Sequence, residues 1–221
     1  MASPAAILAA LALSVAVGAD DLGAGLRLSP PDGFRRLDAS LVRGSAALVP
    51  MTGGEARRSL LAVFAEVRED EPATLVVGRV ERPLELDSGV RSAAASAIAG
   101  HFRGELDLEV VVDRPAIVQG SGGPRLEARA HTRAGRGGAR LVRFAFVPAG
   151  LAHFVLAASV PAEREAELEE PIGRAFDSFA APGGKVGAPE RRNLALRAAA
   201  FGLLGVLVAL ALRLGLRRER A

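Results

Sequence analysis

Apolar and polar positions divide the 221-residue chain into three zones. Near the C-terminus, residues 194–216 are almost wholly apolar, and 198–212 carry no charge. A helix of that length reaches about 34 Å, enough to cross a hydrocarbon core of about 30 Å. Arg197 and Arg213 sit near its ends, where their aliphatic stems can lie along the apolar surface while the charges reach water. The segment is apolar on all sides and ends in arginines, which sets it apart from a helix buried in a soluble core. A second apolar run, 5–17, is too short for a comfortable span. It ends in Val17-Gly18-Ala19 before Asp20-Asp21, as a cleaved secretory signal does, although Met1-Ala2-Ser3-Pro4 supplies no basic side chain.

These two runs predict a signal peptide over 1–19, an extracytoplasmic domain over 20–182 and a linker over 183–193. A transmembrane helix over 194–216 and a cytoplasmic basic tail over 217–221 complete the expected order. Three arginines precede the charge-free 198–212 and Arg213, Arg217, Arg218 and Arg220 follow it, a small bias toward a cytoplasmic C-terminus. The implied location is a bacterial-type cell membrane, crossed once, with the domain on the periplasmic or extracellular side. Whether the signal is cleaved is left open.

Between the runs, the pattern changes period several times. Residues 20–28 read as a lead-in, and Pro30-Pro31-Asp32-Gly33 as a turn that delivers Phe34 into the domain. Residues 46–51 suggest a short strand. Leu60, Leu61, Val63, Phe64 and Val67 make 59–67 apolar on both faces, the mark of a central strand, and 73–80 is another strand. Asp87 can cap a helix through Val90, Ala94, Ile98 and Phe102, with Gly104 expected to stop it. A strand is expected over 106–118. Three hairpin-linked strands follow at 125–133, 139–147 and 151–160, joined by Gly-rich or Pro-Ala-Gly turns. A closing helix over about 162–179 buries Leu168, Ile172, Phe176 and Phe179, with Pro171 expected to kink it or mark a tighter start. The fold class expected is α+β: a largely antiparallel sheet with a helix on each face, plus one C-terminal transmembrane helix.

Charge changes little in this picture. Of 28 Lys and Arg, seven lie from Arg191 onward; of 25 Asp and Glu, only Glu219 does. Residues 20–190 therefore carry 21 basic and 24 acidic side chains, a net charge of −3. The basic character belongs to the membrane flanks, where anionic headgroups attract it. With no Trp or Tyr to stack on bases, nucleic acid is excluded as a partner. The absence of Cys rules out disulfides and an N-terminal lipid-modified cysteine.

Candidate chemistry is sparse. Ser121 lies between glycines in a hairpin turn rather than on a strand-to-helix elbow, and the Gly120 and Gly135 stretches lead into strands, where no helix N-terminus could cradle a phosphate. His101, His131 and His153 lack ligand spacing. Glu105, Asp107 and Glu109 alternate; on a strand they would share one face, as a solvated rim or as ligands for a hard cation such as Ca²⁺, the rim being preferred. Glu163, Glu165, Glu167, Glu169 and Glu170 open the closing helix and complement its dipole. Arg125, Arg129 and Arg133 share one strand face, and by parity only one of Arg140 and Arg143 can join them. That face either binds an acidic partner or headgroups or is a solvated surface, and solvated surface is preferred. No catalytic, cofactor-binding or metal-binding residue is assigned, and no cofactor is expected.

The order of elements, Pro31-Asp32-Gly33-Phe34 at the start, and the strand 154–159 followed by an acidic helix ending Asp177-Ser178-Phe179 resemble the Mog1/PsbP-like superfamily over about 30–179. The resemblance implies an α/β/α sandwich with a binding or assembly-factor role, and brings no shared catalytic set. The expected function is thus a non-enzymatic, membrane-anchored extracytoplasmic domain with a protein partner. The alternative is a hydrolase or metal-dependent enzyme whose site is assembled from dispersed residues.

Overall fold

The computed structural model of the chain describes residues 20–23, 25–38, 57–68, 71–132 and 138–181. The expected signal peptide, the strand at 46–51, the 133–137 turn with Arg133, and the linker, span and tail lie outside these residues. Among the described residues, no helix is long and apolar enough to cross a membrane.

The elements run β1 (Asp20–Asp21), β2 (Arg27–Leu28), β3 (Phe34–Leu37), β4 (Arg58–Glu66), β5 (Thr74–Val80), α1 (Ser88–Leu106), β6 (Val110–Val112), β7 (Ala116–Gly120), β8 (Gly123–Thr132), β9 (Arg140–Ala149) and β10 (Ala152–Pro161). A 3₁₀ turn (Ala162–Arg164) then leads into α2 (Glu165–Ser178). Strands β3 to β10 form one antiparallel sheet in the order β3-β4-β5-β10-β9-β8-β6, with β7 also paired to β8. The predicted meander is β8-β9-β10, and the chain places β10 between β9 and β5, in the centre of the sheet.

Each face of the sheet carries a helix and its own core. On one face Leu168, Ile172, Ala175 and Phe176 of α2 pack with Phe64, Leu75, Phe154 and Leu156, and Leu22, Leu26 and Leu28 of the lead-in join them. On the other, Val90, Ala94, Ile98 and Phe102 of α1 pack with Leu126, Ala128, Ala130, Phe144, Phe146 and Val155. Strand β4 serves both faces through a register shift between Leu60 and Ala62. The extra residue turns Leu60 to the α1 core while Ala62 and Phe64 face α2.

Several boundaries differ from those expected. Helix α1 begins where predicted, with the Asp87 carboxylate accepting a hydrogen bond from the Val90 N–H at 2.8 Å. It does not stop at Gly104. It continues to Leu106 and ends on Asp107, which takes the left-handed conformation at φ 53° and donates its N–H to the Phe102 carbonyl; a short polar side chain tolerates that backbone. The expected 106–118 strand is therefore replaced by a helix end and two strands. Pro115, without an N–H for the ladder, separates β6 from β7, which pair with successive halves of β8. Pro148 and Ala149 belong to β9 rather than to a turn. The β9–β10 connection is the two residues Gly150 and Leu151, with φ of +66° at Gly150. The closing helix starts as a 3₁₀ turn, and Pro171 lies inside α2.

The lead-in is more than a tether. β1 pairs with β2, and Arg27 exchanges two backbone hydrogen bonds of 3.0 Å with Ala180. The Ser178 hydroxyl accepts the Ser29 N–H at 2.9 Å. The beginning and the end of the domain are thus stapled side by side.

Candidate functional site

The sequence singles out one polar surface, the arginine face of β8. Alternation sends Leu126, Ala128 and Ala130 into the α1 core, so Arg125, Arg129 and their neighbours face α2. Arg143 of β9 lies directly opposite Arg129 and joins this face, whereas Arg140 bonds instead to Ser159 and to the Pro72 carbonyl. One of the two arginines joins, as parity requires.

Over its described residues the face is largely covered by α2. Arg125 is buried, with Nε 2.7 Å from Glu127 Oε1 and Nη1 2.8 Å from Asp177 Oδ1 at the end of α2. Arg129 pairs with Glu165 at 3.5 Å and with Glu169. Arg143 is also buried; it donates to the Glu169 carbonyl at 2.7 Å and its guanidinium lies 5.6 Å from the centre of the Phe176 ring. For Arg125 and Arg129 both sequence readings give way to a third. Its charges meet the acidic side chains of α2, and the two sets hold helix to sheet.

The acidic run does more than complement the dipole. Glu165 and Glu167 do lie in the first turn of α2, where they complement the dipole. Glu165 and Glu169 also reach across to Arg129, and Glu170 pairs with Arg174 at 2.9 Å along the helix. At the N-terminal end of α2, Arg164 makes a two-pronged bond to Glu66 at 2.6 and 2.9 Å and a further bond to Glu167.

The electrostatics follow from these partners. Burial alone would lower the pKa of the Arg125 guanidinium, but its bonds to Asp177 and Glu127 outweigh burial and hold it above its ordinary value. Arg143 goes the other way: burial lowers it, and Arg129 beside it adds to the effect. The hydrogen bond from Arg164 holds the Glu66 carboxyl below the usual range.

The remaining candidates separate in space. Glu105 lies in α1, Asp107 caps it and Glu109 precedes β6, so the three carboxylates do not share a strand face. Among the described residues, no group of three or more His, Asp or Glu side chains is placed to hold a metal ion. The Ser121 hydroxyl donates to the Asp177 carbonyl, and a Cβ at Gly122 would come within 3.0 Å of the Phe179 carbonyl. A Cβ at Gly120 would run into the Arg125 guanidinium. The glycines of this turn let β7–β8 close against the end of α2.

His131 lies 3.1 Å from Asp113 on the exposed edge. His153 is fully buried: its Nδ1 donates to the Arg82 carbonyl at 2.7 Å, and its Nε2 has no hydrogen-bond partner. Burial lowers its pKa against the opposing effect of the Arg82 carbonyl. Nothing in the sequence marks this position, because a lone His in an apolar strand reads like its neighbours.

No family model matches the chain, and no curated protein matches it in sequence. Solved structures do. The chain is similar to cyanobacterial PsbP from Synechocystis sp. PCC 6803, with a TM-score of 0.52 at 12% identity over 76% of this chain and 95% of that one. It also matches LpqN of Mycobacterium tuberculosis, involved in cell envelope biogenesis, with a TM-score of 0.42 at 14% identity over 76% and 91%. The Saccharomyces cerevisiae Ran-binding protein Mog1p gives a TM-score of 0.44 at 17% identity over 72% and 92%. The likeness to PsbP shows the Mog1/PsbP-like fold expected from the sequence, and at this identity it shows the fold alone.

Proposed function

We propose that the chain is a single-pass, membrane-anchored extracytoplasmic domain that binds or helps assemble a protein partner and carries no catalytic site of its own. The observation that carries this reading is the stapling of the domain's two ends. Arg27 pairs with Ala180 just before the Pro- and Gly-rich 182–189 and the apolar 194–216. A domain so built is held from one end and presents the rest of its surface. The binding or assembly role is what the Mog1/PsbP-like resemblance implies.

Topology is tested by fusing a reporter that is active only in the cytoplasm. It should be silent within 183–189 and active after Arg220; the opposite pattern would overturn both the signal and the anchor. Affinity capture of the intact chain from membranes then asks for the partner, and one recurrent stoichiometric protein is the expected result.

A further inference from the structure

Three large hydrophobic side chains are exposed among the described residues: Val67 at 48%, Val111 at 56% and Leu151 at 85%. Leu151 stands apart in more than number. It is the second residue of a two-residue hairpin whose first, Gly150, has positive φ while Leu151 does not, the pattern of a type II′ turn. That tip position ordinarily takes a small polar residue. Here it holds a leucine that touches neither core.

Its place in the fold gives the reason. β10 runs from Ala152 to Pro161 and α2 returns beside it, so that Phe179 meets Phe154 with ring centres 5.4 Å apart. Ala149 and Ala181 pack against the same core. The β9–β10 tip therefore lies at the same end of the domain as Ala181, the last described residue. Val67 lies at the other end, one residue beyond the Glu66 that pairs with Arg164 at the start of α2. The fourteen residues of α2 put about 21 Å between the two ends.

We propose that the Leu151 tip is a membrane-contact point that inserts into the acyl boundary of the bilayer and sets the Ala181 end of the domain against the lipid. The inference rests on the anchored reading above. The twelve residues 182–193 span at most about 40 Å, so the bilayer is always within reach of this end. One leucine would not recruit a free domain, but a tether converts the contact into an intramolecular one at high effective concentration. Apolar side chains at such an interface bury a few ångströms below the headgroups. The partner of Leu151 is thus lipid, and the opposite end, with Val67, faces away.

The chain has no native cysteine, so single labels are clean. Leu151→Cys and Val67→Cys variants of the full chain, both at exposed positions, would carry an environment-sensitive fluorophore. They would be reconstituted in vesicles of phosphatidylcholine and phosphatidylglycerol. With brominated acyl chains, the label at 151 should lose roughly half its emission while that at 67 is unchanged. A chain that does not float with vesicles overturns the anchor, and this inference with it. A chain that floats but shows no quenching at 151, or equal quenching at both positions, overturns the inference alone. A label at 151 that is shielded in native membranes but not in pure lipid assigns the tip to a protein and also overturns it.

Discussion

Glu127 is the carboxylate that lies between the two buried arginines, and neutralising it gives a quantitative test of the charge network beneath α2. Its Oε1 lies 2.7 Å from Arg125 Nε and 2.6 Å from Nη2, and its Oε2 lies 3.9 Å from Arg143. Both arginines are 7% exposed. Glu127→Gln keeps the shape and removes the charge. Breaking a fully buried ion pair costs about 3–5 kcal/mol, largely because the remaining charge is stranded. Here the cost is smaller, since Arg125 keeps Asp177 at 2.8 Å and the Glu127 side chain is 23% exposed. Gln keeps an acceptor oxygen for Arg125 but loses the charge that strengthens both contacts; hydrogen bonds to charged groups are worth about 1.5–3 kcal/mol each, so we expect a loss of about 2 kcal/mol. The assay is urea unfolding of residues 20–190 at neutral pH, compared with Asp177→Asn. Asp177 is 56% exposed, so its charge is screened and its loss should cost less than about 1 kcal/mol. A Glu127→Gln change within about 0.5 kcal/mol of the parent, the range of ordinary surface substitutions, would refute the reasoning. So would a larger cost for Asp177→Asn.

Phe176→Ala should destabilise the domain by about 3–5 kcal/mol, because the ring is fully buried and also carries the Arg143 contact; unchanged thermal stability would refute its packing. His153 should make the domain acid-sensitive. Its folded pKa is depressed, so the unfolded chain takes up the proton first, and stability should fall as pH drops below about 6.5, by at most about 1.4 kcal/mol per unit. Denaturation midpoints between pH 7 and 5 should fall in the parent and stay flatter in His153→Gln; equal slopes would remove His153 as the cause.

Much of the fold was legible because period is a local property. The stripe of Leu168, Ile172 and Phe176 and the alternation of 125–132 put those residues on the faces where they lie. What covers a face is not local. Arg125 and Arg129 looked solvated because nothing in β8 itself shows that a helix 40 residues later brings Glu165, Glu169 and Asp177 over them. The Pro115 break was also readable, since proline has no N–H to donate to the ladder. The end of α1 was misplaced because glycine is the commoner stop, and here an aspartate took the left-handed position. The bulge at Leu60 and Ala62 lies in a run apolar at every position, where alternation carries no information.

The two faces of the sheet hold their helices by different means, and the difference bears on where the chain leaves the domain. The α1 face is apolar: Ala94, Ile98 and Phe102 meet alanines, phenylalanines and valines. The α2 face adds a ladder of charges, Arg164 to Glu66 at one end, Arg129 and Arg143 in the middle, and Arg125 to Asp177 at the other. An apolar stripe repeats every turn, so by itself it penalises a slip of α2 by one turn, about 5.4 Å, only weakly. The charge pairs do not repeat in that way, because a slipped helix would take Asp177 away from the buried Arg125 and Glu165 and Glu169 away from Arg129. They fix the position of α2 along the sheet, and with it the pairing of Ala180 with Arg27 and the point where the chain leaves the domain. An Asp177→Asn/Glu169→Gln double variant, which removes charge from α2 itself, tests this. If charge sets the register, the Phe154 and Phe179 ring resonances should broaden or shift when it is lost. Unchanged resonances would leave the register to the apolar stripe.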